Sequence, residues 1–403
     1  MFPKLRFKEF DENWKEVTLK NCITSIDSGW SPQCESYPAN SSEWGVLKTT
    51  SVDWSGFNSS FNKKLPLELT PRKEIEVKPL DILVTRAGPT ERVGVVSVVP
   101  HSVRSKLMIS DKLIRLKSNE ENNPLFLGIS LSSVKCQNQL QSKTSGLAKS
   151  QTNISQKILG EVLLKLPSKE EQTKIASFLS AVDEKISQLT KKHELLSQYK
   201  QGMMQKLFSQ QVRFKADDKS EFREWEEKEL KDIAEINPKS KKLPESFIYI
   251  DLESVEKGQL LLQKNIELQD APSRAQRLLA KGDVLFQMVR PYQQNNYYFN
   301  LSGEYVASTG YAQIRTKLDS KFIYYALHEK TFLDEVMNRC TGTSYPAINS
   351  SDLSSIEILI PCLEEQTKIA NFLSAIDQKI EVVAQQIEQA KQWKKGLLQN
   401  MFI

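Results

Sequence analysis

The sequence has no apolar run of 18 or more residues, which excludes a membrane-spanning helix. Its first ten residues, MFPKLRFKEF, hold no apolar signal core, so the expected location is the cytoplasm. Histidine and cysteine are scarce: His101, His193 and His328, with Cys22, Cys34, Cys136, Cys340 and Cys362, are scattered without metal-ligand spacing. They read as packing residues, and the odd cysteine count suits a reducing compartment. No GxxxxGK[ST] loop is present to cradle a phosphate. There is no glycine-rich cofactor turn after a strand, and no Asn/Asp-Pro-Pro-aromatic loop of the kind used to methylate base amino groups, since Asn237-Pro238 is followed by Lys239. Glu76-Val77-Lys78 has the shape of a nuclease E-x-K triplet, but no partner motif leads into it. These absences argue against catalysis by this chain alone.

What the chain does have is a long sequence written twice. Leu164 to Phe208 and Ile358 to Phe402 align without a gap at a constant offset of 194, sharing the unbroken run EEQTKIA at Glu170–Ala176 and Glu364–Ala370. Such a repeat has to be recognised before any domain is assigned. Each copy follows a proline, Pro167 or Pro361, and opens on an acidic pair that suits the positive end of a helix dipole. A seven-residue period follows. Ile175, Val182, Leu189, Leu196 and Met203 carry it in the first copy, with Leu179, Ile186 and Leu207 interleaved. In the second copy Ile369, Ile376, Val383, Ala390 and Leu397 alternate with Leu373, Ile380, Ile387 and Met401. Five heptads predict a coiled coil. His193, Lys200 and Lys394 fall on the interleaved positions and weaken both seams toward their C-terminal halves. Neither helix is apolar all round, and the economical partner for each stripe is the other copy.

The remainder of the 403 residues divides into two stretches, each large enough for one domain with its own core. They are built alike. LRF and WKEVTLKNCI near the start recur after the first long helix as VRF and WEEKELKDIA, with Trp14 matching Trp225. The first stretch is mostly short strands (Gly45–Val52, Asp81–Thr85, Gly94–Val99, Lys112–Leu116), with a helical Asn123–Gln141. The second has strands at Phe247–Leu252, Asp283–Val289 and Tyr305–Arg315, and a helical Lys321–Asn338. The frames agree while the loops RAGPTERV and RPYQQNN do not, which suits one scaffold carrying two reading surfaces. Charge adds a hint: the net charge is +5, and Leu47–Lys117 holds 13 Lys and Arg against 7 Asp and Glu, a basic patch for a polyanion.

Two variable domains alternating with two near-identical helices, each opened by Pro-x-x-Glu-Glu-Gln-Thr-Lys-Ile-Ala, resemble the DNA-specificity subunit of type I restriction–modification systems over the whole chain. The resemblance implies an α+β fold of two pseudo-repeated target-recognition domains of mixed α/β structure, each followed by a long helix, the two helices pairing as an antiparallel coiled coil. The boundaries expected are 1–163 and 211–357 for the recognition domains, 164–210 and 358–403 for the spacer helices. It implies a non-catalytic chain that reads a bipartite, asymmetric site in double-stranded DNA and recruits two methyltransferase subunits and two motor–nuclease subunits. S-adenosylmethionine, ATP and Mg²⁺ belong to those partners. Helices of about 40 residues would span roughly 60 Å at ~1.5 Å per residue, against about 34–36 Å for one DNA turn, so the half-sites should flank an unread gap.

Lysine and arginine suit phosphates, while arginine, asparagine and glutamine suit base edges. On that chemistry the candidates in the first domain are Lys48, Thr49, Thr50, Arg86, Arg92, Lys143, Lys149 and Ser150. In the second they are Arg290, Tyr292, Gln293, Gln294, Asn295, Asn296, Arg339, Thr343, Ser344 and Tyr345, with the QQNN run suited to adenine. Glu171, Gln172 and Lys174, repeated as Glu365, Gln366 and Lys368, lie off the apolar seam and are expected to face outward as a dock for two identical partners. The competing expectation is a duplicated coiled-coil adaptor whose two domains bind other proteins.

Overall fold

A computed structural model describes residues 3–144, 152–239 and 242–402. The chain forms two compact units, residues 1–188 with 386–403, and residues 189–385.

In the first unit a four-stranded antiparallel sheet runs Ile23–Ser28, Leu113–Ser118, Ile82–Thr85, Val96–Val98. A second sheet joins Leu107–Met108, Gly45–Leu47 and Asn62–Lys64. The expected strand Gly45–Val52 is cut short by a 3₁₀ turn at Thr49–Ser51. The helical stretch Asn123–Gln141 is two helices, Pro124–Leu131 and Val134–Gln141. Ser133 makes the break, its hydroxyl accepting from the Cys136 N–H as the second helix's cap. Gly128 lets the first of these helices lie on the sheet, because a Cβ there would stand 2.4 Å from Val98 Cγ2.

The second unit repeats the plan. Ala234–Ile236, Tyr311–Thr316, Val284–Gln287 and Tyr297–Tyr298 form the matching antiparallel sheet. A mixed sheet holds Lys264–Glu267, Ser246–Ile250, Tyr305–Ser308 and Ala275–Leu278. Tyr305–Arg315, expected as one strand, is therefore two strands in different sheets. Lys321–Asn338 is likewise two helices, Ser320–Ala326 and Lys330–Asn338, capped by Asp319 and Glu329.

The long helices are Lys169–Phe208 and Leu363–Met401. In the first unit Ile175, Leu179 and Val182 share a core with Leu397 and Met401; in the second, Leu207 and Phe208 share one with Ile369, Leu373 and Ile376. The start of one helix thus meets the end of the other, and the pair runs antiparallel. Of the apolar heptad positions, Ile186, Leu196, Met203, Ile380 and Ala390 are half-buried and the others are buried. Trp14 and Phe126 close on Phe402 in the first unit, and Trp225 and Phe322 close on Phe208 in the second. Cys22 and Cys136 lie in the core, and no cysteine among the described residues is in a disulfide. No helix among the described residues is long and apolar enough to cross a membrane, and no group of three potential metal ligands is found there.

Candidate nucleic-acid interface

Each unit fixes its entrance segment to a long helix through the same bracket. Arg6 donates from Nε and Nη2 to the two carboxylate oxygens of Glu171, both at 2.7 Å, and Trp14 Nε1 adds a bond at 3.4 Å. In the second unit Arg213 and Trp225 grip Glu365 at 2.9–3.2 Å. The next residue ties down the backbone: Gln172 accepts from the Asn123 N–H and donates to Pro167 O, while Gln366 accepts from the Asp319 N–H and donates to Pro361 O. Glu171 is 1% exposed and Glu365 fully buried.

The outward dock expected from Glu171, Gln172, Glu365 and Gln366 is thereby corrected. They sit off the heptad seam because they face their own domain, where an unpartnered buried carboxylate would be costly. Lys174 and Lys368 are partly exposed, but they pair with Glu9 and Asp217 and lie over the rings of Phe7 and Phe222. The repeated identity of these residues has an internal cause.

In the first unit the loop after Ile82–Thr85 pairs through Ala87–Gly88 with Thr152–Asn153, and the Ile154 N–H donates to Arg86 O. The loop that carries Arg86 and the chain leading into Ile154 therefore meet. Arg92 does not face a ligand: its guanidinium donates to Asp53 Oδ2 at 2.5 Å and Val52 O at 2.7 Å, and this holds the Asp53 carboxyl below its usual range. That corrects its assignment as a phosphate contact. Lys143 stands 3.8 Å from Glu161 on the surface, and Lys149 and Ser150 lie outside the described residues. Lys48, Thr49 and Thr50 line a cleft of about 380 Å³ whose walls also carry Lys63 and Lys112. Lys48, Lys63, Lys112 and nearby Arg86 have no ion-pair partner among the described residues. Sequence reasoning passed over Lys63 and Lys112, although the charge excess of Leu47–Lys117 pointed at them.

In the second unit the RPYQQNN loop and the loop before Ile348 also meet. Arg290, at φ +54°, donates its N–H to Pro346 O, and its guanidinium lies 4.3 Å from the centroid of Tyr345. Arg290, Gln293, Asn295 and Tyr345 line one cleft with Lys257 and Gln287, and Tyr292, Thr343 and Ser344 are exposed. Two assignments are corrected. Asn296 is buried, accepting from the Gln287 N–H at 2.8 Å and facing His328. Arg339 is folded back onto Asp352 O, Ser355 Oγ and Glu335. Gln294, at φ +51°, points its amide to His328 O. Gln287, missed in the sequence because it reads as mid-strand, bonds the loop at Gln293, Asn295 and Asn296.

A ladder of rings that bridges the two long helices is also repeated, once in each unit. Phe7, Phe178 and Trp393 stack edge-to-face at 5.8 and 5.9 Å in the first unit, and Phe214, Phe372 and Tyr199 at 5.7 and 6.5 Å in the second. The outermost rings, Trp393 and Tyr199, are 54% and 51% exposed.

Comparison with known proteins agrees with this layout. Residues 12–197 and 223–392 match the family described as the type I restriction modification DNA specificity domain, once per unit. The EcoEI specificity subunit of Escherichia coli is 40% identical over 171 residues, 42% of this chain and 29% of that protein. A putative MjaX specificity subunit of Methanocaldococcus jannaschii is 27% identical over 98% of this chain and 94% of its own length. Among solved structures, the type I restriction–modification S subunit from M. genitalium superposes with a TM-score of 0.63 at 17% identity, covering 100% of this chain and 99% of that one.

Proposed function

Because this chain belongs to the type I restriction–modification DNA-specificity family, we propose that it reads a bipartite, asymmetric DNA target, one half-site per unit, and recruits the subunits that modify and cut it. The observation that carries this is the pairing of like frames with unlike clefts. One sheet plan and one Arg–Trp–Glu bracket recur in both units. On that frame the first unit presents a lysine cleft and the second an Arg/Gln/Tyr cleft. Lysines suit phosphates and the second set suits base edges, so the two units would engage DNA through two different surfaces. In this reading the chain supplies recognition. Methyl transfer from S-adenosylmethionine and ATP-driven, Mg²⁺-dependent cleavage belong to partner subunits.

Two methyltransferase subunits are matched by two ring ladders. Trp393 and Tyr199 offer each partner the same kind of aromatic anchor, the residue class that dominates protein interfaces. Replacing either with alanine should remove one methyltransferase copy from the complex measured by native mass spectrometry, and replacing both should remove two. Full occupancy in the double variant would place the dock elsewhere.

The deciding experiment is methylome sequencing of a methylation-free host that expresses this chain with its methyltransferase subunit. A methylated two-part motif that disappears without this chain is the expected result, and it supplies both half-sites and the gap. A stable complex that neither methylates nor binds DNA in a salt-dependent way would instead make the chain a protein adaptor.

A further inference from the structure

We infer that Gln287, a buried side chain, decides which base edge Gln293 reads; this rests on the DNA-reading function proposed above. Gln287 is 2% exposed and ends the strand Val284–Gln287 beneath the RPYQQNN loop. Its own amide has one orientation, because it is bound on both sides by backbone. Nε2 donates to the Val289 carbonyl at 2.8 Å, and Oε1 accepts from the Asn295 N–H at 3.1 Å. A carbonyl cannot donate and an N–H cannot accept, so the amide cannot be flipped without losing both bonds.

The second hydrogen of Gln287 Nε2 goes to Gln293 Oε1 at 2.9 Å. That bond dictates the orientation of the exposed Gln293: its oxygen is turned inward and its amide nitrogen outward. Gln293 Nε2 has no partner among the described residues and opens into the cleft shared with Arg290 and Tyr345. A free glutamine pairs with adenine through both atoms, accepting from N6 and donating to N7. With Oε1 already engaged, Gln293 offers a donor, as Arg290 beside it does. The base edge that fits is one whose hydrogen-bonding groups are all acceptors, guanine (N7 and O6) or thymine (O4), rather than one that carries the amino donor of adenine or cytosine. On this inference the base that suits Gln293 differs from the adenine expected of the QQNN run, and the residue responsible lies outside that run.

The test is a selection of bound sequences from randomised DNA, using the full chain in complex with its methyltransferase subunit. Wild type should select guanine or thymine at one position of one half-site. Gln293→Glu, on an exposed residue, keeps the acceptor for Gln287 but turns a carboxylate oxygen outward. It should move that same position to cytosine or adenine by about ten-fold or more. Gln287→Met cannot donate and releases the Gln293 amide, so adenine at that position should rise while every other position keeps its preference. Thermal unfolding of each variant establishes that it is folded. A Gln293→Glu variant that keeps the wild-type base, or a folded Gln287→Met variant with an unchanged profile, overturns the inference while leaving DNA reading intact. Wild type that selects no sequence overturns DNA reading itself.

Discussion

Lys200 on one long helix meets Asp377 on the other, 2.6 Å from ammonium to carboxylate, and Lys394 makes the repeat-equivalent pair with Asp183 at 2.5 Å. The lysines that interrupt the apolar heptad seam are therefore its direction signal. Parallel, in-register helices would set Lys200 beside Lys394, whereas the antiparallel arrangement gives each an aspartate. Lys394→Glu should destabilise the first unit by about 1 kcal/mol, and adding Asp183→Lys should recover most of that. A double-mutant cycle in denaturant measures the coupling, and additive effects would show that the pair sets nothing.

The Arg–Trp–Glu bracket supports a larger effect. Glu365→Ala leaves Arg213 without its carboxylate in a nearly closed site, and should cost about 3–5 kcal/mol. Trp225→Phe removes one hydrogen bond and should cost about 1 kcal/mol. Urea unfolding of the two variants gives the comparison, and equal losses would mean that packing rather than the ion pair holds the joint.

Leu80 and Gly282 occupy the same turn in the two units, each followed by a buried aspartate, and both have positive φ, +69° and +95°. Only glycine adopts this backbone cheaply. Gly282→Ala should lower stability by about 1–2 kcal/mol, while Leu80→Gly should leave it unchanged or raise it by up to about 1 kcal/mol. Differential scanning calorimetry on both variants checks the opposite signs.

How much of this was legible in the sequence depends on range. The seam was legible because heptad spacing is local, and the duplication because it is literal. The break at Ser133 was not, since a serine cap inside an apolar stretch looks like one more polar residue. Glu171 was misread because its partners, Arg6 and Trp14, lie 165 and 157 positions away. Periodicity sees only that a residue is off the seam, not what covers it. The signal was present in the recurrence of LRF and Trp14 as VRF and Trp225, which recur together with the glutamate. The loop assignments failed at Arg92, Asn296 and Arg339 for a related reason: residue types that bind DNA are also those that brace a loop, and only contacts separate the roles.

Lys48, Lys63 and Lys112 give a prediction in ionic strength. Replacing all three with alanine should weaken binding across all sequences and reduce the slope of log K against log salt by roughly 3, at about 0.9 per phosphate contact. Unaltered slope in a fluorescence titration would remove the cleft from the DNA path.

His328 predicts a pH effect confined to the second unit. Burial holds its imidazole below the ordinary range, with one nitrogen bonded to Tyr324 O at 2.7 Å and the other facing the Asn296 amide. The unfolded chain takes up the proton near pH 6.5 and the folded chain only at lower pH. The contribution is therefore complete above about 6.5 and declines as pH falls below it. Between pH 7.5 and 5.5, wild type should lose more stability than His328→Gln in matched denaturant titrations; equal losses would assign the effect elsewhere.

The first unit is assembled from residues 1–188 and 386–403, with Phe402 against Trp14 and Asn400 O accepting the Leu5 N–H. On the ribosome these partners are separated in time as well as in sequence. At about 5–20 residues per second, the 386–403 segment emerges roughly 10–40 s after the core it covers. The second unit, continuous over 189–385, is synthesised within that interval and can close first. The order of folding is then the reverse of the order of synthesis for the two cores. Until translation reaches its closing segment, the earlier domain carries an open aromatic face around Trp14 and Phe126, which is the surface a chaperone would hold.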